Sequence, residues 1–214
     1  MAHSGLFIAF EGGDGTGKST HLTRVADHLE RLGHVVVRTR EPGGTEVGKR
    51  IRELVLHYDG DIEPRAEAML FAADRAHHVA TVVRPALKRG EIVVQDRYID
   101  SSVAYQGSGR DLGANEVREL SLWATRGLLP DLVVLLDLDP EAARARMHAD
   151  RDSLDRLERE AFDYHRRVRE QFLALAATDP ERYLVVDVNR EKDAVAADIR
   201  ARIDELLAGR SERA

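Results

Sequence analysis

The residues from Gly12 to Ser19 have the types and spacing needed to bind phosphate. They read Gly-Gly-Asp-Gly-Thr-Gly-Lys-Ser and fit the pattern G-x-x-x-x-G-K-[ST] at every fixed position. Glycines let successive backbone N–H groups point into one concavity, and the lysine reaches the outer phosphates of a nucleotide. We expect the nucleotide-binding residues to be Gly12, Gly13, Asp14, Gly15, Thr16, Gly17, Lys18, Ser19 and Thr20.

A divalent metal ion, Mg²⁺, is expected beside this loop because it offsets charge on nucleotide phosphates and prefers oxygen ligands. The hydroxyl of Ser19 is one candidate ligand. Asp96 is the other, since it ends an apolar run and is followed at once by Arg97. Asp137 also ends an apolar run, but its context, Asp137-Leu138-Asp139-Pro140, favours a turn residue.

Arginines beyond the loop indicate a second anionic ligand, because bringing two polyanions together requires several guanidinium groups. Arg52, Arg75 and Arg97 lie in or after segments that leave strand ends, where they could clamp an acceptor phosphate. A second group follows Pro140 and is compatible with either a solvated helix face or a lid near residues 144–157. This group consists of Arg144, Arg146, Arg151 and Arg156.

Composition narrows the class of protein. The chain has 214 residues, no cysteine, and 32 basic against 38 acidic residues, for a net charge of −6. That charge argues against general binding to nucleic acid or to an anionic membrane surface. We see neither a secretory leader nor an apolar run long enough to span a membrane, so we expect a cytoplasmic protein.

Short β-branched runs alternate with longer helical patterns, which predicts an α/β fold with a doubly wound parallel sheet covered by helices on both faces. Helices are predicted at His21 to Leu32, Ala66 to Leu87 with a disturbance near Pro85, from an Asn115 cap onward, and at Lys192 to Leu207. Strands are predicted at Leu6 to Phe10, Val35 to Thr39, Ile92 to Asp96, Leu132 to Asp137 and Tyr183 to Asp187. We expect one domain over residues 1–214.

Five separated segments, in order along the chain, resemble the thymidylate kinase family. They are residues 11–20; Thr39-Arg40-Glu41-Pro42-Gly43-Gly44-Thr45; Leu70-Phe71-Ala72-Ala73-Asp74-Arg75; Asp96-Arg97-Tyr98 with Ser101-Ser102-Val103-Ala104-Tyr105-Gln106-Gly107; and Leu154-Asp155-Arg156-Leu157-Glu158. The resemblance implies a P-loop kinase with a five-stranded parallel sheet that passes the γ-phosphoryl group of ATP to dTMP. It also implies a homodimer and a cis peptide bond before Pro42.

The resemblance assigns the acceptor site residue by residue. Asp14 matches the acidic residue that binds the sugar 3′-hydroxyl, and Phe71 matches the aromatic ring that stacks on thymine. Tyr105 matches the ring beside the 2′ position, and Arg75 matches the arginine at a base carbonyl. The implied dTMP-binding residues are Asp14, Arg52, Phe71, Arg75, Arg97, Ser102, Tyr105 and Gln106.

The loop departs from some members of the family at Gly15, where those members carry a catalytic arginine. Members without it supply basic residues from the lid, which the resemblance places at Arg144, Arg146, Arg151 and Arg156. The expected catalytic set is Lys18, Arg97, Asp14, Arg146 and Arg151. No histidine is assigned to catalysis, and the His77-His78 pair is interpreted as solvated or at an interface.

Two alternatives remain open from the sequence. The first is another P-loop kinase acting on a different nucleotide, a nucleoside or a small metabolite. The second is a nucleotide switch or a P-loop binding module without turnover. A guanine-nucleotide switch would need an N-K-x-D motif, which the segment from Asn189 to Asp193 does not provide.

Overall fold

The computed structural model describes residues 5–150, 155–158 and 160–211. Its five strands form one parallel sheet in the order β2-β3-β1-β4-β5. The strands are β1 (Leu6–Glu11), β2 (Val36–Arg40), β3 (Ile92–Asp96), β4 (Leu132–Asp137) and β5 (Tyr183–Asp187). The predicted doubly wound fold is confirmed, with β1 one residue longer than expected and β2 displaced by one residue.

Helices connect the strands as a parallel sheet requires. They are α1 (Lys18–Arg31), α2 (Glu46–His57), α3 (Pro64–His78), α4 (Arg84–Lys88), α5 (Ile99–Ser102), α6 (Ala114–Thr125), α7 (Pro140–Asp150), α8 (Phe162–Thr178) and α9 (Lys192–Ser211). Two π-helical turns, Val79–Val83 and Val103–Gly109, continue α3 and α5. No helix among the described residues is both long enough and apolar enough to cross a lipid bilayer.

The central strand β1 is buried on both faces, and its side chains alternate between two cores. Leu6, Ile8 and Phe10 join the core that contains residues of α1 and α9. Phe7 and Ala9 join the core that contains residues of α4 and of both π-helical turns. This alternation is the two-residue period of a strand, and it explains why all five residues from Leu6 to Phe10 are apolar rather than every second one.

The long helix predicted from Ala66 to Leu87 is interrupted just before Pro85. Proline has no backbone N–H to donate to the preceding turn, so the helical ladder must change there. The structure changes it by widening the turn over Val79–Val83, where the N–H of Arg84 donates to the carbonyl of Val79. The disturbance predicted near Pro85 is therefore a π-helical turn.

The predicted cap of α6 is wrong. Asn115 lies inside the first turn, and the capping position is Gly113, which has φ of +91° and no side-chain hydrogen bond. The N–H of Gly113 donates to the carbonyl of Gly107, and a Cβ on Gly107 would come within 3.0 Å of Ala114. Close approach of two backbone segments sets this helix start, and such an approach leaves no signal in the local sequence.

Candidate active site

The phosphate loop joins β1 to α1 at the centre of the sheet. Gly17 has φ of +85°, which is accessible to glycine, and α1 begins at the next residue, Lys18. The Lys18 ammonium donates to the carbonyls of Gly12 at 3.1 Å and Gly13 at 2.7 Å, so it lies across the loop. Burial, followed by the like charge of Arg97, lowers the pKa of Lys18 to about 8.

Arg97 lies directly after β3 and reaches the loop from the neighbouring strand. Its backbone has φ of +64°, an uncommon conformation for a residue with a side chain, and its N–H donates to the carbonyl of Phe10. The guanidinium donates to the carbonyl of Gly12 at 3.1 Å, to the hydroxyl of Ser101 at 3.0 Å and to a carboxylate oxygen of Asp14. Arg97 is thus fixed between the loop and the residues that follow β3.

Asp14 and Tyr105 complete this cluster. The Tyr105 hydroxyl donates to the second carboxylate oxygen of Asp14 at 2.8 Å, and the Arg97 guanidinium lies 4.9 Å from the centre of the tyrosine ring. Burial alone would raise the pKa of Asp14, but the charges of Arg97 and Lys18 outweigh it and hold that pKa well below its usual range. The expected sugar-site residues and the expected acceptor-phosphate arginine therefore form one hydrogen-bonded group.

Glu11, which the sequence analysis did not single out, positions the segment that carries Arg97. Its carboxylate accepts from the N–H of Tyr98 at 2.7 Å, the N–H of Ser101 at 3.2 Å and the Ser101 hydroxyl at 2.5 Å. Burial, followed by the nearby charge of Asp100, raises the pKa of Glu11 to about 7. A carboxylate at the end of a wholly buried strand was the available signal, because such groups need partners.

The residues assigned to Mg²⁺ fit a hard cation. The Ser19 hydroxyl lies 3.4 Å from one carboxylate oxygen of Asp96, and the other oxygen, Oδ1, is buried without a partner among the described residues. An orphaned carboxylate oxygen beside a hydroxyl at a phosphate loop has the donor chemistry that Mg²⁺ requires. Asp137 is occupied elsewhere, because Arg169 donates to both of its oxygens, at 2.7 and 2.9 Å.

A cleft of about 410 Å³ extends from the phosphate loop to the residues assigned to the acceptor base. Its polar lining carries both charges, and ligands of an open parallel sheet bind in this region, beyond the carboxyl ends of the strands. The lining includes Asp14, Gly15, Gly17, Lys18, Ser19, Thr20, Arg52, Phe71, Arg75, Asp96, Arg97, Ser102, Tyr105 and Gln106. The structure thus brings all of the expected acceptor residues and most of the expected nucleotide residues to one cavity, whereas Gly12 and Gly13 line a smaller cavity behind the loop and Thr16 lines neither.

At the far end of the cleft, Arg75 is held by several buried partners. It donates to Glu41 at 2.7 Å, to the Ser102 hydroxyl at 3.1 Å, to the Ser121 hydroxyl at 3.0 Å and to the Tyr98 carbonyl at 3.0 Å. Such bonds fix the plane of the guanidinium before any contact with a base. Phe71, one turn earlier on α3, packs in a small core with Val55, Leu56 and Leu157 and is 8% exposed.

Glu41 organises a buried network that the sequence analysis missed. Besides Arg75, it bonds His78 Nδ1 at 2.9 Å, and His78 Nε2 bonds the Thr39 hydroxyl at 2.6 Å. The interpretation of His78 as solvated or at an interface is therefore wrong, although its neighbour His77 is exposed. The peptide bond between Glu41 and Pro42 is cis.

Arg52 enters the cleft from α2. It donates to the carbonyl of Pro42 at 3.1 Å, and burial, followed by the charge of Arg40, lowers its pKa from the ordinary value. A guanidinium that is partly buried beside another arginine gains by contact with an anion. This placement suits the expected role of Arg52 toward an acceptor phosphate.

The arginines assigned to the lid occupy different places. Helix α7 packs on the loop at Gly15, where a Cβ would lie 2.6 Å from the carbonyl of Ala143. On this helix, Arg144 lines a small cavity behind the loop, whereas Arg146 donates to the Val188 carbonyl at 3.0 Å. Arg156 contacts Glu67 and the carbonyl of Val55, at the acceptor end of the cleft. Arg151 lies outside the described residues.

The phosphate loop follows the central strand of a parallel sheet and opens into a cleft that also contains arginines away from the loop. This arrangement defines the class of P-loop α/β nucleotide-binding proteins. A family model described as thymidylate kinase matches residues 10–199. The chain belongs to the thymidylate kinase family, a family of nucleoside monophosphate kinases. The resemblance found in the five sequence segments is thereby confirmed.

Individual relatives agree with this family. The chain is 62% identical over 205 residues to thymidylate kinase of Clavibacter sepedonicus, covering 96% of this chain and 97% of the relative. It is 65% identical over 200 residues to thymidylate kinase of Leifsonia xyli subsp. xyli, covering 94% and 95%. The crystal structure of thymidylate kinase from Ehrlichia chaffeensis matches with a TM-score of 0.76 at 28% identity, covering 93% of this chain and 98% of that chain.

Proposed function

We propose that this protein transfers the γ-phosphoryl group of ATP to dTMP, giving dTDP and ADP. The family supplies the reaction, and one observation carries its assignment to residues of this chain. A single cleft joins the phosphate loop at Lys18 to the base end at Phe71 and Gln106, with Arg97 lining it as well. Donor and acceptor phosphates bound in this cleft would adjoin, as direct transfer requires.

The transfer needs little covalent chemistry from the protein. An oxygen of the acceptor phosphate attacks the γ-phosphorus in line, and the bond from that phosphorus to the bridging oxygen of ADP breaks. The nucleophile is already an anion, so no general base is required. Lys18 stabilises charge on the β- and γ-phosphates, while Arg97 and Arg52 hold the acceptor phosphate. Asp14 and Tyr105 orient Arg97 and border the sugar.

Mg²⁺ would be held by Ser19 and Asp96 together with the nucleotide phosphates. When bound, it supplies electrostatic stabilisation of the charge that develops on the transferring group. The orphaned oxygen of Asp96 supports this assignment.

The segment near residues 144–157 acts as a lid in this proposal, within a single domain over residues 1–214. The contact between α7 and Gly15 supports it, because a helix pressed against the loop can bring basic groups to the γ-phosphate where the loop lacks an arginine. Arg144 lines the small cavity behind the loop, and Arg146 would have to release the Val188 carbonyl to reach the phosphates.

The assembly is proposed to be a cytoplasmic homodimer. Exposed apolar side chains on two helices that pack together support the dimer: Trp123 on α6 is 81% exposed and Met69 on α3 is 57% exposed. Large apolar side chains of this kind are enriched at interfaces between subunits.

The reaction is tested by coupled ADP release with ATP, Mg²⁺ and a panel of dTMP, dUMP, dCMP, dGMP, AMP and thymidine, with the product of each identified. Preference for dTMP with formation of dTDP is expected. Preference for another acceptor would retain a P-loop kinase and contradict the base-site assignment. ATP binding without acceptor-dependent turnover would favour the binding module.

A further inference from the structure

Glu67 is a fully buried carboxylate on α3, one helical turn before Phe71. Three side chains from other parts of the chain converge on it. Its Oε1 accepts from Gln106 Nε2 at 3.0 Å and lies 3.5 Å from Arg110 Nε. Its Oε2 accepts from Arg156 Nη2. Glu67 therefore connects α3 to the π-helical turn Val103–Gly109 and to the segment at residues 155–158.

The two guanidinium groups make the charged form of this carboxylate tenable. A buried anion is costly unless oppositely charged groups and hydrogen bonds compensate it, and Arg110 and Arg156 supply both from either side. Arg110 is itself paired at 2.7 Å with Glu160, so the charges of these two arginines and two glutamates balance. An ionised carboxylate accepts hydrogen bonds and donates none.

This charge state decides how the amide of Gln106 is oriented. Because Glu67 can only accept, the NH₂ group of Gln106 must face it, and the carbonyl oxygen must face away. Within residues 5–150, 155–158 and 160–211, no donor is bonded to Gln106 Oε1. Gln106 lines the acceptor cleft, so the group that it can offer to a ligand there is a hydrogen-bond acceptor.

We propose that Glu67 is a positioning residue for acceptor selectivity, which fixes Gln106 with its amide oxygen available to the base. This inference rests on the proposed function. Thymine and uracil carry a donor at N3–H, whereas N3 of neutral cytosine is an acceptor. The Gln106 amide oxygen, as a hydrogen-bond acceptor, complements N3–H of thymine and uracil and repels N3 of cytosine. A rotated amide would lose that distinction.

The test is equilibrium binding of dTMP, dUMP and dCMP, measured by titration calorimetry, to the wild-type protein and to Glu67→Gln. Glutamine at position 67 can donate or accept, so the Gln106 amide is free to rotate. We expect the ratio of the dCMP to the dTMP dissociation constant to fall by about tenfold or more, which is the worth of one buried hydrogen bond. The ratio between dUMP and dTMP should stay unchanged, because both bases present the same edge.

Coupling to Gln106 distinguishes positioning from a general structural role. In a Gln106→Leu background, Glu67→Gln should cause no further change in the dCMP to dTMP ratio, because the group through which Glu67 acts is gone. Glu46→Gln on the exposed start of α2 is the matched control and should behave as wild type. A loosened pocket would instead change dUMP and dCMP binding together, and that result would contradict the proposal.

Thermal unfolding of each variant shows whether it is folded. If Glu67→Gln is not folded, Glu67→Asp takes its place in the same binding test. Aspartate keeps a negative charge for both arginines, but its shorter side chain does not reach Gln106, so the same fall in the dCMP to dTMP ratio is expected. Wild-type selectivity in the folded variants would overturn the proposal. Binding does not require turnover, so the outcome is independent of the ADP-release assay that tests the reaction itself.

Discussion

Arg97 and Asp14 form an ion pair that spans 83 positions of sequence and joins the residue after β3 to the phosphate loop. Their side chains are mostly buried, at 17% and 22% exposure, and both line the cleft. The acceptor-phosphate clamp and the nucleotide loop are therefore one electrostatic unit. Substitution of either residue should therefore alter the position of the other side chain.

Arg97→Lys should impair use of dTMP far more than binding of ATP. Lysine keeps the charge beside Asp14 but has only three donors at a single nitrogen, too few to bond Gly12, Ser101 and Asp14 and also a phosphate. We expect kcat/KM for dTMP to fall by about 100-fold, with the ATP dissociation constant changed by less than about threefold. Steady-state kinetics and ATP titration test this, with the exposed Arg89→Lys as control. If ATP binding were weakened as much as the use of dTMP, the assignment of Arg97 to the acceptor phosphate would be contradicted.

Gly15→Ala should destabilise the protein more than Gly33→Ala. Both glycines have positive φ, +75° and +91°, but a Cβ at position 15 would meet the carbonyl of Ala143, whereas position 33 faces open space. Backbone strain alone should lower the free energy of unfolding by about 1 kcal/mol at position 33, and the clash should bring the loss to about 2–3 kcal/mol at position 15.

Urea unfolding measures both glycine variants. Turnover should fall only in Gly15→Ala, because α7 must move away from the loop. Equal destabilisation of the two variants would show that the contact between α7 and Gly15 has no energetic consequence.

ATP binding should take up a proton above about pH 8. Burial and Arg97 lower the pKa of Lys18 to about 8, so the free protein loses this charge at alkaline pH. Phosphate binding favours the charged lysine and restores the proton, and ATP affinity should therefore weaken as pH rises through that value.

Calorimetry in buffers of different ionisation enthalpy counts the protons taken up. Uptake is expected at pH 8.5 and should be close to zero at pH 6.5. The same titration of Lys18→Arg is the control, since arginine stays charged. Uptake of similar size in Lys18→Arg would assign the proton to another group.

Asp74→Asn should gain stability relative to wild type as pH rises. Burial, followed by the charge of Glu41, raises the pKa of Asp74 to about 6. Between about pH 4 and 6 the folded protein keeps a proton that the unfolded chain has lost, so the free energy of unfolding falls with pH across this window. Asparagine removes that fall, which amounts to as much as about 3 kcal/mol.

Urea unfolding at pH 4.5 and pH 7.5 measures the effect at Asp74. The Gly43 N–H, which donates to Asp74 Oδ1 at 3.2 Å, keeps an acceptor in the variant. Asp61→Asn, on the surface, controls for the removal of one negative charge. A stability difference that does not vary with pH would contradict the raised pKa.

Trp123→Ala should weaken the proposed dimer. An exposed tryptophan that anchors an interface is a common site of concentrated binding energy, and its truncation should raise the dimer dissociation constant by about 30-fold. Sedimentation velocity over a dilution series measures it. Val185→Ala, which trims an exposed apolar residue on β5, is the control and should leave association unchanged. A wild-type monomer at all concentrations would refute the dimer.

Much of the architecture was predictable because it depends on local pattern. All five strands, the phosphate loop and α1 follow from short apolar runs, from glycine spacing and from helical periodicity. The same reasoning located Ser19 and Asp96, since a carboxylate at the end of a parallel strand must lie at the ligand-binding edge. The Asn115 cap failed because a distant backbone contact at Gly107, not a side-chain bond, determines where α6 begins.

The buried carboxylates show what the sequence could have revealed and what it could not. Glu67, Phe71 and Arg75 recur every four residues on α3, so one helix face carrying an acid, an aromatic ring and a base was visible. Which groups meet Glu67 was not, because Gln106 and Arg156 lie 39 and 89 positions away. Pairing over such distances depends on how the elements pack.

The sequence by itself determined the five strands, the helices α1, α3 and α9, the phosphate loop and the family, because each depends on residues close together in the chain or on motifs in fixed order; the helices α2, α5, α7 and α8 were not predicted. Only the tertiary structure decided the strand order β2-β3-β1-β4-β5, which places Asp96 and Arg97 beside the loop. It also turned Arg146 toward Val188 and Arg156 toward Glu67. Arginine is long and flexible, and its partner is chosen by the nearest uncompensated acceptor in space rather than by its neighbours in sequence.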